Sequence, residues 1–255
     1  MTVPRRSRHS WGDDFGFRIF DFGFRERARF APFRCSLFKS KIQNRKSKML
    51  MTKVKICGIT REEDALVATG LGADFLGFIF EPSSPRFIEP EHAAAIAARV
   101  REGRDNPPQL VGVFRDSSPD YIKEIASTTG IDLVQLHGSE TDDDIVNIGI
   151  PAVKALRVGE SLPDTNATPS ASWLLFDTWD ERRVGGTGRR FDWTLLADYT
   201  RSKPFFLSGG LTPDNIAAAI SFVRPDAIDL ASGVESEPGV KDHGKLERLF
   251  ERLRK

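Results

Sequence analysis

Between Lys53 and the C-terminus, eight short apolar runs alternate with segments of helical character, and this alternation constrains the fold more than any other feature. The runs are KVKICG (53–58), DFLGFIF (74–80), QLVGVF (109–114), DLVQLHG (132–138), AVKALRV (152–158), SWLLFD (172–177), PFFLSGG (204–210) and DAIDLASG (226–233). They are rich in Val, Ile, Leu and Phe, as strands buried on both faces must be. The segments between them carry helix signals. TREEDALVATGLG reads as a helix capped by Thr60 with Glu63 three residues on, a capping box. SPDYIKEIASTTG opens on Ser118-Pro119 and stops at Gly130. EPEHAAAIAARVRE, SETDDDIVNIG, FDWTLLADYT, LTPDNIAAAISFV and VKDHGKLERLFERLRK complete the set, with Asp192 as the N-cap of the segment beginning WTLL. After the fifth run, GESLPDTNATPSA is rich in Pro, Thr and Ser and reads as loop.

Eight strands alternating with about seven helices predict an α/β protein, a single compact (β/α)8 (TIM) barrel over residues 51–255. The alternative, a doubly wound open sheet, would be expected to carry a Gly-rich turn after its first strand, where CGITREE has one glycine.

Residues 1–50 do not share this pattern. Residues 1–48 hold 13 Lys+Arg and 4 Asp+Glu, leaving 24 and 32 to the rest, so a chain of net charge +1 hides an acidic body of net −8. This segment interleaves Phe with Gly, Arg and Asp, has no helical period, and is expected to be disordered or loosely attached. It reads as an upstream extension with the functional start at Met49 or Met51, a targeting peptide or anion-binding tail being the alternatives. The near-neutral total gives no reason to expect nucleic acid or an acidic membrane as partner. No apolar run approaches the roughly 18 residues of a membrane span. Two cysteines, Cys35 and Cys57, one in the extension and one in the body, make no disulfide framework and suit a reducing compartment, which predicts a cytoplasmic protein.

In such a barrel the chemistry sits at the C-terminal ends of the strands. There the chain places Cys57, Arg86, His137, Asp177, Ser208-Gly209-Gly210 and Ser232-Gly233. Glycines after the last two strands allow backbone N–H groups to approach an anion, and barrels commonly bind phosphate there. Asp177 ends an otherwise apolar strand, where a partly desolvated carboxylate suits proton donation, unless it serves a local arginine such as Arg182 or Arg183. Cys57 is either a base or nucleophile or a small apolar residue at a strand end. His137 is either a base or a hydrogen-bonding wall of the pocket. His92 and His243 fall on helical segments and read as surface. ERRVGGTGRRFDW is a Gly-rich loop that reads as a lid or as a plain connection. No grouped His, Cys and Asp have metal-ligand spacing, so no metal is expected.

In order, KICGIT, GFIFEPSSPRFI, VGVF, VQLHG, FDTWDERRVGGTGRRFDW, LSGGLTPDNI and DLASGVESEPGVKDH resemble the phosphoribosylanthranilate isomerase family of tryptophan biosynthesis, over essentially all of residues 53–255. The resemblance implies a (β/α)8 barrel without cofactor. It implies conversion of N-(5′-phosphoribosyl)anthranilate to 1-(2-carboxyphenylamino)-1-deoxyribulose 5-phosphate by an Amadori rearrangement, in a monomer or homodimer. It implies Cys57 as general base, Asp177 as general acid, Arg86 against the anthranilate carboxylate, His137 as a pocket residue, and Gly209, Gly210, Ser232 and Gly233 around the phosphate. Two departures stand out: the poorly helical stretch after the fifth strand, and Ala231-Ser232 where the family often has two serines. The rival readings are another phosphate-binding barrel, such as an isomerase that also takes the equivalent histidine-pathway aminoaldose, indoleglycerol phosphate synthase, or a non-catalytic phosphosugar binder. The synthase would be expected to place a catalytic Lys or Glu at strand ends, and the binder would need neither Cys57 nor Asp177.

Overall fold

A computed structural model describes residues 52–178 and 192–254. The sequence expectations for residues 1–50, for Arg182 and Arg183, and for the glycines of the GGTG loop lie outside the described residues.

Eight parallel strands close in sequence order: β1 (Lys53–Cys57), β2 (Phe75–Ile79), β3 (Gln109–Phe114), β4 (Leu133–Leu136), β5 (Ala152–Val158), β6 (Trp173–Thr178), β7 (Phe205–Leu207) and β8 (Ala227–Leu230). Ring closure is the β1–β8 pairing, with Lys55 opposite Asp229. The open-sheet alternative is thereby excluded. The helices are α1 (Glu62–Leu71), α2 (Pro90–Arg101), α3 (Pro119–Thr129), α4 (Asp142–Ile148), α5 (Ile216–Val223) and α6 (His243–Leu253), with 3-10 turns at Trp193–Asp198 and Ser232–Val234. A short hairpin, β9 (Glu235–Glu237) with β10 (Val240–Lys241), precedes α6.

Local chemistry explains most boundaries. Ser118 Oγ accepts the Tyr121 N–H at the start of α3, and Gly130 ends that helix in the left-handed region. Thr141 and Asp144 form the capping box of α4, and Asp192 caps the 3-10 turn through the Thr194 N–H. The expected box at α1 does not form. Its N-cap is Arg61, without a side-chain cap, because the Thr60 hydroxyl donates instead to the Gly239 carbonyl at 2.5 Å. The stretch after β5 has no helix, as its composition predicts. Lys203 Nζ clamps it by donating to the carbonyls of Thr168, Pro169 and Ala171.

Two apolar cores follow from strand alternation. One lies between barrel and helices, with Ile56, Leu76, Phe78, Leu110, Leu136, Leu174 and Phe205 among its strand residues. The other fills the barrel with Phe75, Val111, Leu133, Val153, Ala155, Leu175, Phe206 and Ala227. Lys53 Nζ lies 5.5 Å and 5.7 Å from the ring centroids of Phe75 and Trp173, at the N-terminal end of that interior.

Candidate active site

The interior core fixes which side chains reach the upper rim. Residues two apart on a strand share a face, so Leu133 predicts Gln135 inside, Leu175 predicts Asp177, and Ala227 predicts Asp229. Lys55 confirms the parity of β1. Its Nζ crosses the barrel to donate to Gln135 Oε1 at 2.8 Å on β4, and to Asp229 Oδ2 at 3.0 Å on β8. Lys55 is fully buried, and Asp229 and Gln135 are buried with it. The interior therefore changes from apolar to ionic toward the C-terminal ends, and Cys57 is the next inward residue above Lys55.

Cys57 is a buried free thiol. Its sulfur has room because β2 carries no side chain at Gly77. A Cβ built there would stand 2.8 Å from Cys57 Sγ and 3.2 Å from Lys55 Cε. Burial pushes the thiol up, the Lys55 ammonium works against that, and Asp229 reinforces the rise, so the thiol sits above its ordinary range. Burial pulls Lys55 down, but Asp229 and Cys57 more than offset it and keep the ammonium charged.

Across the rim, His137 Nε2 lies 3.6 Å from Asp177 Oδ2. Its other nitrogen, Nδ1, is 3.5 Å from Gln135 Nε2. Because Gln135 Oε1 accepts from Lys55, its amide nitrogen is left to face His137, which favours a proton on Nε2, toward Asp177. The loop that presents His137 is held from below. Glu140 accepts the N–H groups of Gly138 and Asp116, and Lys154 Nζ donates to Glu140 at 2.7 Å and to the Gly138 carbonyl at 2.8 Å.

Arg86, in the loop after β2, lies over Gly58, where a Cβ would come 2.6 Å from Arg86 Cδ. Glu235 grips the guanidinium twice, with Nε to Oε1 at 2.9 Å and Nη2 to Oε2 at 2.7 Å. The same carboxylate accepts from the buried Lys241 Nζ at 2.6 Å, and Lys241 also donates to the Cys57 carbonyl at 2.6 Å. Burial pushes Glu235 up, but Arg86 and Lys241 outweigh it and hold the carboxyl below its ordinary range.

The two glycine-bearing loops meet on the other side of the mouth. Gly209 and Gly210 both have positive φ, 89° and 63°. Asn215 ties their loop by donating to the Gly210 carbonyl and accepting the Thr212 N–H, and α5 starts only at Ile216, later than the Thr212-Pro213-Asp214 opening read from sequence. Gly233 presses against this loop: a Cβ there would run into the Leu211 carbonyl oxygen. Among the described residues, the N–H groups of Gly209 and Gly210 have no intramolecular acceptor.

The fold thus gathers Cys57, Arg86, His137, Asp177, Gly209, Gly210, Ser232 and Gly233 at one end of one barrel. Sequence reading overlooked Lys55, Glu235 and Lys241, and gave Gln135 and Asp229 no role. The signal for Lys55 was there, because KVKIC puts lysines on one face of a strand expected to be buried. His243 is not simply a surface residue, since its Nε2 lies 2.7 Å from the fully buried Asp64 Oδ1.

A family model described as N-(5'phosphoribosyl)anthranilate (PRA) isomerase matches residues 54–252. The N-(5'-phosphoribosyl)anthranilate isomerase of Pseudomonas fluorescens (strain Pf0-1) is 43% identical over 211 residues, 81% of this chain and 100% of that protein. The structure of monomers derived from the dimeric phosphoribosylanthranilate isomerase of Thermotoga maritima superposes with a TM-score of 0.67 at 37% identity, covering 80% of this chain and 99% of that one. A phosphoribosyl anthranilate isomerase in complex with reduced 1-(o-carboxyphenylamino)-1-deoxyribulose 5-phosphate gives the same values.

Proposed function

Because the chain belongs to the N-(5′-phosphoribosyl)anthranilate isomerase family and carries out that isomerisation in tryptophan biosynthesis, we propose that Cys57 is its general base and Asp177 its general acid. Asp177 gives a proton to the ring oxygen of the furanose, and the ring opens to an iminium ion. The iminium acidifies the C2′ hydrogen, and the Cys57 thiolate removes it. The enolamine then tautomerises to the ketone, with a proton delivered to C1′. Each such acid–base contribution is worth about 10²–10⁴-fold in rate.

The observation that carries this reading is the inward parity of both residues at the same rim, on β1 and β6, with β8 and β7 between them. A small sugar is expected to lie across that gap. The remaining roles follow from the same rim. Arg86 meets the anthranilate carboxylate with the guanidinium edge that Glu235 leaves open. The N–H groups of Gly209, Gly210, Ser232 and Gly233 hold the 5′-phosphate, with the single turn at Ser232 adding its N-terminus. His137, beside Asp177, is a wall of the pocket that orients the acid. The acid–base route needs no cofactor.

The catalytic unit is residues 51–255, with 1–50 an extension outside it, and a chain starting at Met51 is expected to keep fold and activity. The active chain is a monomer or a homodimer. No helix among the described residues is long and apolar enough to cross a membrane. A base that must stay a free thiol is kept so by a reducing compartment such as the cytoplasm.

The test is the fluorescence decay of freshly made phosphoribosylanthranilate. Cys57→Ser and Asp177→Asn are each expected to lower kcat by about 10² or more while remaining folded. Turnover that survives both changes refutes the pair.

A further inference from the structure

We propose that Lys55 is a positioning residue for the reaction: its ammonium, fixed across the barrel by Asp229 and Gln135, is the charge against which the buried Cys57 ionises. This inference rests on the reading of Cys57 as base. A buried sulfur with no nearby cation stays protonated and cannot take a hydrogen from carbon. The structure supplies the cation at a fixed place. Lys55 and Cys57 are inward neighbours on β1, and Gly77 on β2 leaves the space in which Cys57 Sγ and Lys55 Cε lie together.

The ammonium is not free to turn away. It is fully buried, and two acceptors on opposite strands, Gln135 Oε1 at 2.8 Å and Asp229 Oδ2 at 3.0 Å, set its position. Other charged groups also face Cys57. Lys241 from β10 donates to its carbonyl, and Arg86 from the loop after β2 adds positive charge. Asp229 from β8 opposes the thiolate, and its Oδ1 is buried with no partner among the described residues. Of the groups that favour the thiolate, Lys55 acts most strongly on the sulfur. The thiol proton leaves to water, and ionisation in the enzyme–substrate complex appears as the rising limb of kcat against pH.

The experiment measures kcat and KM for phosphoribosylanthranilate from about pH 6 to about pH 9.5. It compares wild type, Lys55→Met, Asp229→Asn, the double variant and Cys57→Ser. Lys55→Met leaves Asp229 without a counter-charge, which can prevent folding, so the double variant, neutral at both positions, decides the matter. Its rising limb is expected to move up by about one pH unit, with kcat about tenfold lower at neutral pH, approaching wild type at the alkaline end, and KM little changed. Asp229→Asn alone should move the limb the other way. A purely structural role would lower kcat equally at every pH. A folded double variant with an unmoved limb, beside an inactive Cys57→Ser, overturns the role of Lys55 alone. A fully active Cys57→Ser overturns the base assignment and this inference with it.

Discussion

Arg86 and Glu235, 149 residues apart, face each other in a two-pronged ion pair, and Glu235 also accepts from Lys241, the lysine that holds the Cys57 carbonyl. One carboxylate thus sets both the guanidinium at the mouth and the end of the strand that carries the thiol. Glu235→Gln removes the charge while keeping the shape. KM is expected to rise about tenfold or more as Arg86 loses its fixed direction. Stability should fall by on the order of 3 kcal/mol, because Arg86 and Lys241 keep their charges in a buried place. Steady-state kinetics and urea unfolding measure the two effects; an unchanged KM would contradict the role given to Arg86.

The same carboxylate makes a statement about acid. Its folded-state value is depressed by Arg86 and Lys241 against the opposing effect of burial. A depressed carboxyl contributes stability that is present above its unfolded value of about 4.3 and is lost as pH falls through the folded value. Urea midpoints should therefore drop as pH is lowered below about 4.3, and the drop should be shallower in Glu235→Gln. Parallel curves for the two proteins would mean that other carboxylates carry the acid sensitivity.

Gly77 is the space in which the thiol sits. Gly77→Ala puts a methyl group 2.8 Å from Cys57 Sγ and 3.2 Å from Lys55 Cε, with the Cys57 Cα at 3.1 Å. The sulfur must turn or the strand must shift. If Cys57 is the base as proposed, a displacement of about 1 Å at its sulfur is expected to lower kcat by on the order of 10² with little change in KM. Wild-type kcat in this variant would place the reactive sulfur elsewhere.

Gly233 tests the phosphate loops. A side chain there collides with the backbone carbonyl of Leu211, which cannot rotate away as a flexible side chain would. Gly233→Ala should separate the two loops and raise KM at least tenfold, and weaken inhibition by inorganic phosphate in parallel. Unchanged phosphate inhibition would show that the anion binds elsewhere.

The frame of this protein was readable because its signals are local. Buried parallel strands are nearly continuous apolar runs, and seven of the eight strands lie within their expected runs, β6 passing the end of its own by one residue at Thr178. β7 stops at Leu207 rather than Gly210 because Gly209 and Gly210 take left-handed conformations that no strand tolerates. The rim residues were readable because position at a strand end is itself a sequence property. What sequence reading lost were partnerships over distance. Thr60 looked like a cap because Glu63 is near in sequence, but its hydroxyl goes to Gly239, 179 residues away. Lys55 was given no role because its partners, Gln135 and Asp229, are 80 and 174 residues away. Periodicity cannot show which buried charge meets which.

The hold of Lys241 on the Cys57 carbonyl spans 184 residues. On the ribosome, β1 emerges among the first parts of the barrel, while β10 and α6 come last. The neighbouring tethers, Thr60 to Gly239 and the Asp64 carboxylate to the Lys241 N–H, obey the same order. Domains fold as units during synthesis, and this unit is complete only when its last elements have been made. The Cys57 carbonyl gains its lysine only when the final hairpin docks, so a nascent chain stalled before Lys241 carries all eight barrel strands and still lacks that tether. Synthesis itself sets when the end of the thiol's strand is fastened.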